Sequence, residues 1–190
     1  MQNLTNKINS YIRLSEEELN LATKFYRRKA IPKGDLIIQP GQYVKHWHFV
    51  DSGCFYFYSL KDGKEKVLEF FTESNFFTDI YAYIQDVPSN CYVKATEDSV
   101  IYSILKQDLQ KSYDHSHKIE RIGRLSMQDT VLETFRRIAH LNNLTNEERY
   151  LRLLEKRPAL FQRVPQYMIA SYLGLTPVGL SKIRRRLSRS

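Results

Sequence analysis

The chain has 190 residues, of which 42% are hydrophobic, and its formal net charge at pH 7 is +8. This length allows one large or two small domains, and the apolar fraction is sufficient for a folded core. The charge is uneven, since residues 1–100 carry a net −1 and residues 101–190 carry +9, a distribution typical of a nucleic-acid-binding module attached to a neutral module.

The same composition argues against several protein classes. The chain contains no run of about 18 apolar residues, so no membrane span is predicted. The first residues lack the apolar segment of a signal peptide. The two cysteines, Cys54 and Cys91, are too few for a four-cysteine metal site. We therefore expect a cytoplasmic protein with buried free thiols, no membrane association, no metal and no cofactor.

The first 105 residues predict one helix followed by short strands. Ser15 and Glu18 form a capping-box pattern, which predicts a helix to about Tyr26. The next segment is rich in β-branched and aromatic residues, and Asp62–Gly63 is a strong hairpin signal. The predicted strands are Arg28–Ile31, Leu36–Gln39, His46–Val50, Cys54–Leu60, Lys64–Phe71, Asn90–Thr96 and Val100–Ile104. Short, regularly spaced strands favour an antiparallel barrel or roll.

From about Lys106 the apolar residues adopt helical spacing. A long helix is predicted over 116–142, and Ile122, Leu125 and Leu132 fit a coiled-coil seam. Because a small roll cannot cover so long a stripe, we expect a symmetric dimer contact along this helix; the alternative is that the stripe packs only within its own chain. Thr145 and Glu148 form a second capping box, and Pro158 follows the end of that helix.

The last 25 residues predict a helix, a tight turn and a second helix. Pro165 suits the first helical position, and Ala170 allows close packing between the two helices. Gly174 can adopt the positive φ that ends the first helix. Thr176 can cap the second helix, with Pro177 in its first turn. This arrangement is typical of a helix that enters the DNA major groove.

The second helix has two chemically different faces. Leu180, Ile183 and Leu187 form an apolar stripe, while Lys182 and Arg185 lie on the opposite side. One face can pack while the other presents cations to phosphates. The alternative is a terminal amphipathic helix whose basic face is only solvated.

Taken in order, these segments resemble the Crp/Fnr superfamily of bacterial transcription regulators over nearly the whole chain. The resemblance rests on Ile31–Gly41, His48–Gly53, Pro88–Ala95, Ile169–Pro177 and Leu180–Leu187. It implies an α+β chain with an N-terminal antiparallel β-roll of the cyclic-nucleotide-binding type (a double-stranded β-helix) over residues 1–115. A long dimerisation helix would follow over 116–142, and a small helix-turn-helix domain over 143–190.

The resemblance also implies function. It implies a homodimer that binds double-stranded DNA, responds to a small effector and contacts RNA polymerase, and that is not an enzyme. The expected DNA-contacting residues are Gln166, Thr176, Pro177, Val178, Ser181, Lys182, Arg185, Arg186 and Arg189. Among these, Lys182 suits guanine and Val178 a thymine methyl group. Gln166, Thr176 and Ser181 suit phosphates.

The expected effector pocket departs from the family pattern. Relatives that bind cyclic AMP carry a Gly-Glu pair for the ribose and an Arg for the phosphate, and the matching positions here are Thr78, Asp79 and Ser89. A neutral hydroxyl in place of a guanidinium removes a charge-assisted contact. We therefore expect little or no binding of cyclic AMP. The other candidate pocket residues are Asn90 and Tyr92.

Two alternatives from other functional classes stay open. A cupin-like metal enzyme would use His46 and His48 on one strand face, but two ligands are too few for a three-ligand site. A protein-interaction module would leave the basic C-terminal helix unexplained. The roll interior is expected to be aromatic, and the sequence leaves two interpretations open: these side chains fill the space a nucleotide would occupy, or the roll holds a different, more apolar effector. These aromatic side chains are Phe76, Phe77, Tyr81, Tyr83, Tyr92 and Tyr102.

Overall fold

A computed structural model describes residues 1–188. The helices are α1 (Gln2–Tyr11), α2 (Glu16–Thr23), α3 (Ile80–Gln85), α4 (Lys106–His115), α5 (His117–Asn143), α6 (Asn146–Lys156), α7 (Leu160–Arg163), α8 (Gln166–Tyr172) and α9 (Pro177–Leu187). The strands are β1 (Arg27–Ile31), β2 (Leu36–Ile38), β3 (His46–Ser52), β4 (Phe55–Lys61), β5 (Lys64–Phe71), β6 (Phe76–Phe77), β7 (Tyr92–Ala95) and β8 (Ser99–Leu105).

The strands form two four-stranded sheets, ordered β1-β8-β3-β6 and β2-β7-β4-β5. Strand β8 pairs antiparallel with both β1 and β3, β6 pairs antiparallel with β3, and β2 with β7. Strands that neighbour each other in the sheets are mostly distant in sequence, which is the arrangement of a roll. The predicted α+β class with an antiparallel β-roll is therefore confirmed.

Aromatic rings fill the inside of the roll. Phe77 stacks on Phe55 and on Phe71 with ring centroids 5.3 and 5.1 Å apart, whereas Phe49 and Phe76, 5.0 Å apart, lie on the opposite face of their strands. Such ring pairs add to the free energy gained by burying their apolar surface. The expected aromatic interior is formed only in part by the predicted residues: Phe77 belongs to it, whereas Phe76 and Tyr83 line a space bordered by the N-terminal helices and Tyr81 is 72% exposed on α3.

Local signals in the sequence explain most element boundaries. Both predicted capping boxes form, at Ser15 and at Thr145. Asp62 and Gly63 have φ values of 52° and 70°, the pair of positive angles that a tight two-residue hairpin requires. Pro165 is the N-cap of α8 instead of its first helical residue, because the helix begins one residue later than expected.

Five short elements were not predicted: α1, α3, β6, a separate α4 and α7. Helix α1 has no side-chain cap and buries only Leu4 and Ile8, so its sequence signal is weak. The thiol expectation is correct for Cys54, which is buried, whereas Cys91 is half-buried; both are free. Among the described helices, none combines the length and the apolarity needed to cross a bilayer.

The chain divides into two compact units. The first joins Met1–Phe57 to Phe70–Thr130, and the second joins Tyr58–Glu69 to the chain from Val131 onward. The tip of the β4–β5 hairpin therefore belongs to the same unit as the C-terminal helices, and α5 begins in one unit and ends in the other. The three-part division predicted from the sequence stays a prediction.

Candidate DNA-binding surface and roll pocket

The C-terminal helix pair is built by local signals. Helix α8 ends before Gly174, whose φ is +71°, and α9 begins after Thr176. The Thr176 hydroxyl accepts a hydrogen bond from the Gly179 amide at 3.1 Å, and Pro177 occupies the first turn of α9. The predicted helix-turn-helix geometry is therefore present, with each of its turn residues in the expected conformation.

The inner face of α9 packs within its own unit. Leu180 and Ile183 are buried, as are Ile169 and Ala170 of α8. Leu187, the last residue of the predicted stripe, is half-buried. Because the apolar stripe is used for packing, the orientation of α9 is fixed and its opposite face is turned to solvent.

The exposed face of α9 carries most of the residues expected to contact DNA. Val178 is 65% exposed, and the helix offers the cations Lys182, Arg184 and Arg185 to solvent. The exposed residues from the predicted set are Gln166, Thr176, Pro177, Val178, Ser181, Lys182, Arg185 and Arg186. The ninth, Arg189, lies outside the described residues. The structure thus brings eight predicted residues to the exposed parts of one helix pair.

Two of these side chains already have partners. Arg186 forms an ion pair with Glu147, near the start of α6, so its charge is partly neutralised within the chain. The Ser181 hydroxyl donates to the Pro177 carbonyl at 3.0 Å. By contrast, the Thr176 oxygen acts as an acceptor toward Gly179, which leaves its hydroxyl proton available for a phosphate.

The beginning of α6 lies beside α9, which the sequence did not indicate. Thr145, Asn146 and Glu147 border a depression of about 640 Å³ together with Lys182 and Arg186 of α9. The sequence signal here, a capping box, predicted only a helix start. The depression widens the candidate DNA-binding surface beyond the helix-turn-helix itself.

The outer edge of strand β5 is covered by the C-terminal helices. The Ser171 hydroxyl accepts from the Val67 amide at 3.0 Å and lies 3.2 Å from the Glu65 carbonyl. Glu69 accepts from an Arg157 nitrogen at 2.9 Å and from the Tyr172 hydroxyl at 3.2 Å. Strand β5 ends its sheet, and an uncovered edge leaves amides and carbonyls unpaired. These contacts therefore attach the hairpin to the helix-turn-helix unit.

Arg137 of α5 completes this attachment. Its guanidinium donates to the Tyr172 carbonyl at 2.8 Å and lies 3.8 Å from the centre of the Tyr172 ring. Burial first, and then the Glu69 charge, raise the pKa of Tyr172 to about 12. The Tyr172 hydroxyl is therefore protonated near neutral pH and acts as a donor to Glu69.

The predicted seam of α5 divides into two parts. Ile122 is 6% exposed and belongs to the chain's own core, so its expected place in a dimer contact is not supported, because the roll and the N-terminal helices already cover it. Leu125 is half-buried. Leu132 is 52% exposed and begins an apolar face on the second half of the helix. The other exposed apolar residues in that half are Val131, Phe135, Ile138 and Leu141.

In the roll, the two residues expected to bind ribose and phosphate bind each other. The Ser89 hydroxyl lies 2.7 Å from the Asp79 carboxylate, and both side chains are buried. Asp79 also caps α3 by accepting from the Ala82 amide, and the Cys91 amide donates to the Ser89 oxygen at 3.0 Å. These polar groups are satisfied within the protein, so they do not fit a cyclic phosphate and its ribose.

The other candidate pocket residues are divided between interior and surface. Thr78 is buried and donates to the His46 carbonyl at 3.0 Å. Asn90 is exposed and Tyr92 is half-buried. Burial, and then the charge of Asp79, raise the pKa of the Cys91 thiol. Thr78, Asp79 and Ser89 are thus brought together as structural residues, whereas Asn90 faces solvent.

His46 and His48 do stack on one strand face, with ring centroids 5.8 Å apart. His48 is buried and lies 2.7 Å from the Ser103 hydroxyl, and burial lowers its pKa to about 3. Within residues 1–188 there is no cluster of three or more histidine, cysteine or acidic side chains that could hold a metal ion. The histidine pair therefore offers no support for the cupin alternative.

Comparison with known proteins finds a matching domain family and similar solved structures. Residues 28–116 match the family model for the cyclic nucleotide-binding domain, and no curated protein sequence matches the chain. FixK2 from Bradyrhizobium japonicum has a TM-score of 0.74 at 17% identity, covering 86% of this chain and 85% of that one. CLP from Xanthomonas campestris, described as a c-di-GMP responsive global regulator, has a TM-score of 0.70 at 19% identity and covers 92% of both chains.

The Thermus thermophilus catabolite activator protein aligns over 96% of this chain and 87% of its own, with a TM-score of 0.53 at 19% identity. Each of the three alignments covers at least 86% of this chain, which is more than residues 1–115 alone. The fold resemblance inferred from the sequence is confirmed: residues 28–116 match the model of the cyclic nucleotide-binding domain, and the chain shares its fold with these three structures.

Proposed function

We propose that this protein is a cytoplasmic, homodimeric transcription regulator of Crp/Fnr type that binds double-stranded DNA through α9. The observation that carries the proposal is the exposed basic face of α9, a helix that follows the turn at Gly174 and whose opposite face is buried at Leu180 and Ile183. The fold supports a regulator and not an enzyme, and RNA polymerase is the further partner that this function implies.

In this proposal α9 enters the major groove. Lys182 donates to guanine acceptors, and the exposed Val178 contacts a thymine methyl group. Gln166, Thr176 and Arg185 contact phosphates and set the position of the helix without reading sequence. Few side chains then read bases, so the target site differs from the operators of relatives that carry an Arg-Glu pair early in this helix.

A dimer supplies the second recognition helix. The second half of α5 presents Leu132 at 52% and Phe135 at 67% exposure, and burying such a face in a partner's equivalent face gains about 25 cal/mol for each Å² removed from water. A two-fold dimer implies an inverted repeat whose half-sites lie about one helical turn apart. Footprinting on a sequence selected from a random duplex pool is the direct measurement.

The effector in this proposal is not cyclic AMP. Asp79 and Ser89 hydrogen-bond each other, so a nucleotide would have to break that contact without gaining a cation at position 89. Losing a charge-assisted hydrogen bond costs about 1.5–3 kcal/mol, or roughly tenfold to a hundredfold in affinity. We expect calorimetry to show no binding tighter than about 10 μM; a lower dissociation constant would contradict the proposal.

The salt dependence of DNA binding tests the proposal as a whole. Fluorescence anisotropy with a labelled duplex should show a steep loss of affinity as salt increases, because phosphate contacts release counterions. Arg185→Ala should make the slope of log K against log salt shallower by about 0.9. The control is Arg28→Ala, which removes another exposed arginine, on β1, and should leave the slope unchanged.

Lys182→Ala tests base reading separately. It should flatten the preference among selected sites, whereas Arg185→Ala should weaken all sites about equally. If the wild-type chain does not bind duplex DNA even at low salt, the proposal is wrong and the protein-interaction alternative takes its place.

A further inference from the structure

A cavity in the first unit lies apart from the roll pocket. It has a volume of about 220 Å³ and is bordered by α1, α2, α4, the first half of α5 and the roll. Its lining includes Tyr26, Tyr83, Tyr113, Ile122 and Met127, but neither Asp79 nor Ser89. A molecule in this cavity would therefore occupy a different place from a nucleotide in a cyclic nucleotide-binding domain.

The size and the walls of the cavity indicate what it can hold. Most of the lining is aliphatic or aromatic, including the buried side chains Ile8, Trp47 and Ile122. An apolar protein cavity of about 150 Å³ holds one benzene molecule. A space of about 220 Å³ therefore suits a compact, largely apolar molecule somewhat larger than benzene.

Three tyrosines give the lining a polar component. Tyr26, Tyr83 and Tyr113 approach one another closely enough that each interacts electrostatically with another. Burial is the largest cause of the raised pKa of all three, to about 12 for Tyr83 and Tyr113, so their hydroxyls are protonated near neutral pH. All three residues line the cavity, so a ligand that carries an acceptor can take a hydrogen bond from a tyrosine hydroxyl.

Gly123 of α5 leaves room for one of these hydroxyls. A Cβ at this position would lie 2.1 Å from the Tyr113 hydroxyl oxygen, so only glycine allows the Tyr113 ring to lie against the helix here. Both residues border the cavity. The Tyr113 hydroxyl therefore lies close to the α5 backbone at the cavity wall.

The charge near the cavity is already engaged. The Lys106 ammonium donates to the Tyr83 carbonyl at 2.6 Å and lies 5.0 Å from the centre of the Tyr83 ring. An anion entering the cavity would lose its hydration and find an ammonium that already has a partner, which is unfavourable. The cavity therefore fits a neutral molecule better than a charged one.

We propose that this cavity is a binding site for a compact, neutral, largely apolar molecule that carries an oxygen acceptor, with the tyrosine hydroxyls as donors. The site itself does not depend on DNA binding. Its use as the effector site of the regulator rests on the proposed function. Helix α5 would carry the effect of a bound molecule along the chain, since this helix lines the cavity with Ile119, Ile122, Gly123, Ser126 and Met127.

The first experiment compares three small probes on the full chain by calorimetry and ligand-observed NMR. Acetophenone is neutral and carries a carbonyl acceptor, ethylbenzene lacks the acceptor, and benzoate is charged. We expect acetophenone to bind with a dissociation constant of about 10 μM to 1 mM. Ethylbenzene should bind about tenfold more weakly because it offers the tyrosines no acceptor, and benzoate should not bind.

Variants then locate the binding. Tyr26→Phe and Tyr113→Phe should each weaken acetophenone binding by about threefold to tenfold and leave ethylbenzene unchanged, while Tyr43→Phe, at an exposed tyrosine outside the lining, should change neither. Ala22→Met should fill the cavity and abolish both, whereas Ala30→Met on exposed β1 should not. If Ala22→Met does not fold by circular dichroism, the Tyr→Phe pair still decides.

Two results would overturn the proposal: absence of binding by both neutral probes, or binding that none of the cavity variants alters. Neither result bears on DNA binding, because these measurements contain no DNA. The anisotropy assay repeated with saturating acetophenone asks the second question. An unchanged DNA affinity would remove the effector role and leave the cavity as a binding site alone.

Discussion

Replacing Ser171 with alanine would remove the hydroxyl through which α8 pairs with the edge of β5. Ser171 accepts from the Val67 amide at 3.0 Å and lies 3.2 Å from the Glu65 carbonyl. Strand β5 has no neighbour on that side within its sheet, so no other strand can replace the lost partner. Because Val67 is only 3% exposed, water cannot readily replace the lost acceptor either.

The expected magnitude follows from these facts. Leaving a buried backbone amide without an acceptor costs about 1–3 kcal/mol. Alanine is a better helix former than serine by up to about 0.5 kcal/mol, which offsets part of the loss. We expect Ser171→Ala to lower the free energy of unfolding of the second unit by about 1–2 kcal/mol.

Hydrogen exchange at the Val67 amide is the most direct assay, since it reports on this hydrogen bond locally. A loss of 1–2 kcal/mol should speed its exchange by roughly five- to thirtyfold, and urea unfolding should show the midpoint shift. Ser171→Thr keeps the hydroxyl and should restore most of the protection.

Ser181→Ala is the matched control, because its hydroxyl bonds only to the Pro177 carbonyl in its own turn. We expect it to change the unfolding free energy by less than about 0.5 kcal/mol. If Ser171→Ala and Ser181→Ala give the same exchange rate at Val67, the reasoning about the β5 edge is wrong.

Three further predictions concern other parts of the chain. Thr176→Ala removes the N-cap of α9 and should cost about 1 kcal/mol in urea unfolding, whereas Thr176→Ser should keep most of it. His48 has a pKa lowered to about 3 in the folded chain, so the unfolded chain binds that proton at higher pH than the folded chain does. The free energy of unfolding should therefore fall as pH drops from about 6.5 toward 3, by up to about 1.4 kcal/mol per pH unit. His48→Gln should remove this part of the pH dependence in urea unfolding at pH 6.5, 5.5 and 4.5, and an identical pH dependence in both proteins would contradict a buried, neutral histidine. Phe135→Asp should convert a dimer to a monomer in sedimentation at micromolar concentration, while Leu60→Asp, at a residue 51% exposed on the hairpin, should not; a monomeric wild type would count against the dimer.

The sequence predicted what depends on neighbours along the chain. The turn at Gly174, the caps at Ser15, Thr145 and Thr176, and the Asp62–Gly63 hairpin are each decided by a few consecutive residues, and the structure has them all. Their conformations follow from local sterics and local hydrogen bonds, so no knowledge of the rest of the fold was needed.

The remaining features depend on residues far apart in sequence. Ser171 and Val67 are 104 positions apart, and nothing in either segment indicates that they pair. Ile122 falls on a heptad seam, yet the N-terminal helices cover it. This burial could not be predicted, because the sequence pattern did not indicate α1. The contact between Asp79 and Ser89 also depends on the folded roll, and neither sequence segment indicates it.

The division of the chain into interleaved units has a consequence for dissecting the protein. A fragment beginning at Val131 would contain every helix of the C-terminal part but would lack Tyr58–Glu69, leaving Arg157 and Tyr172 without Glu69 and Ser171 without its strand. A fragment ending at Thr130 would keep that hairpin and lose the helices that cover its edge. A fragment that keeps the second unit intact must therefore include Tyr58–Glu69 as well as the chain from Val131 onward.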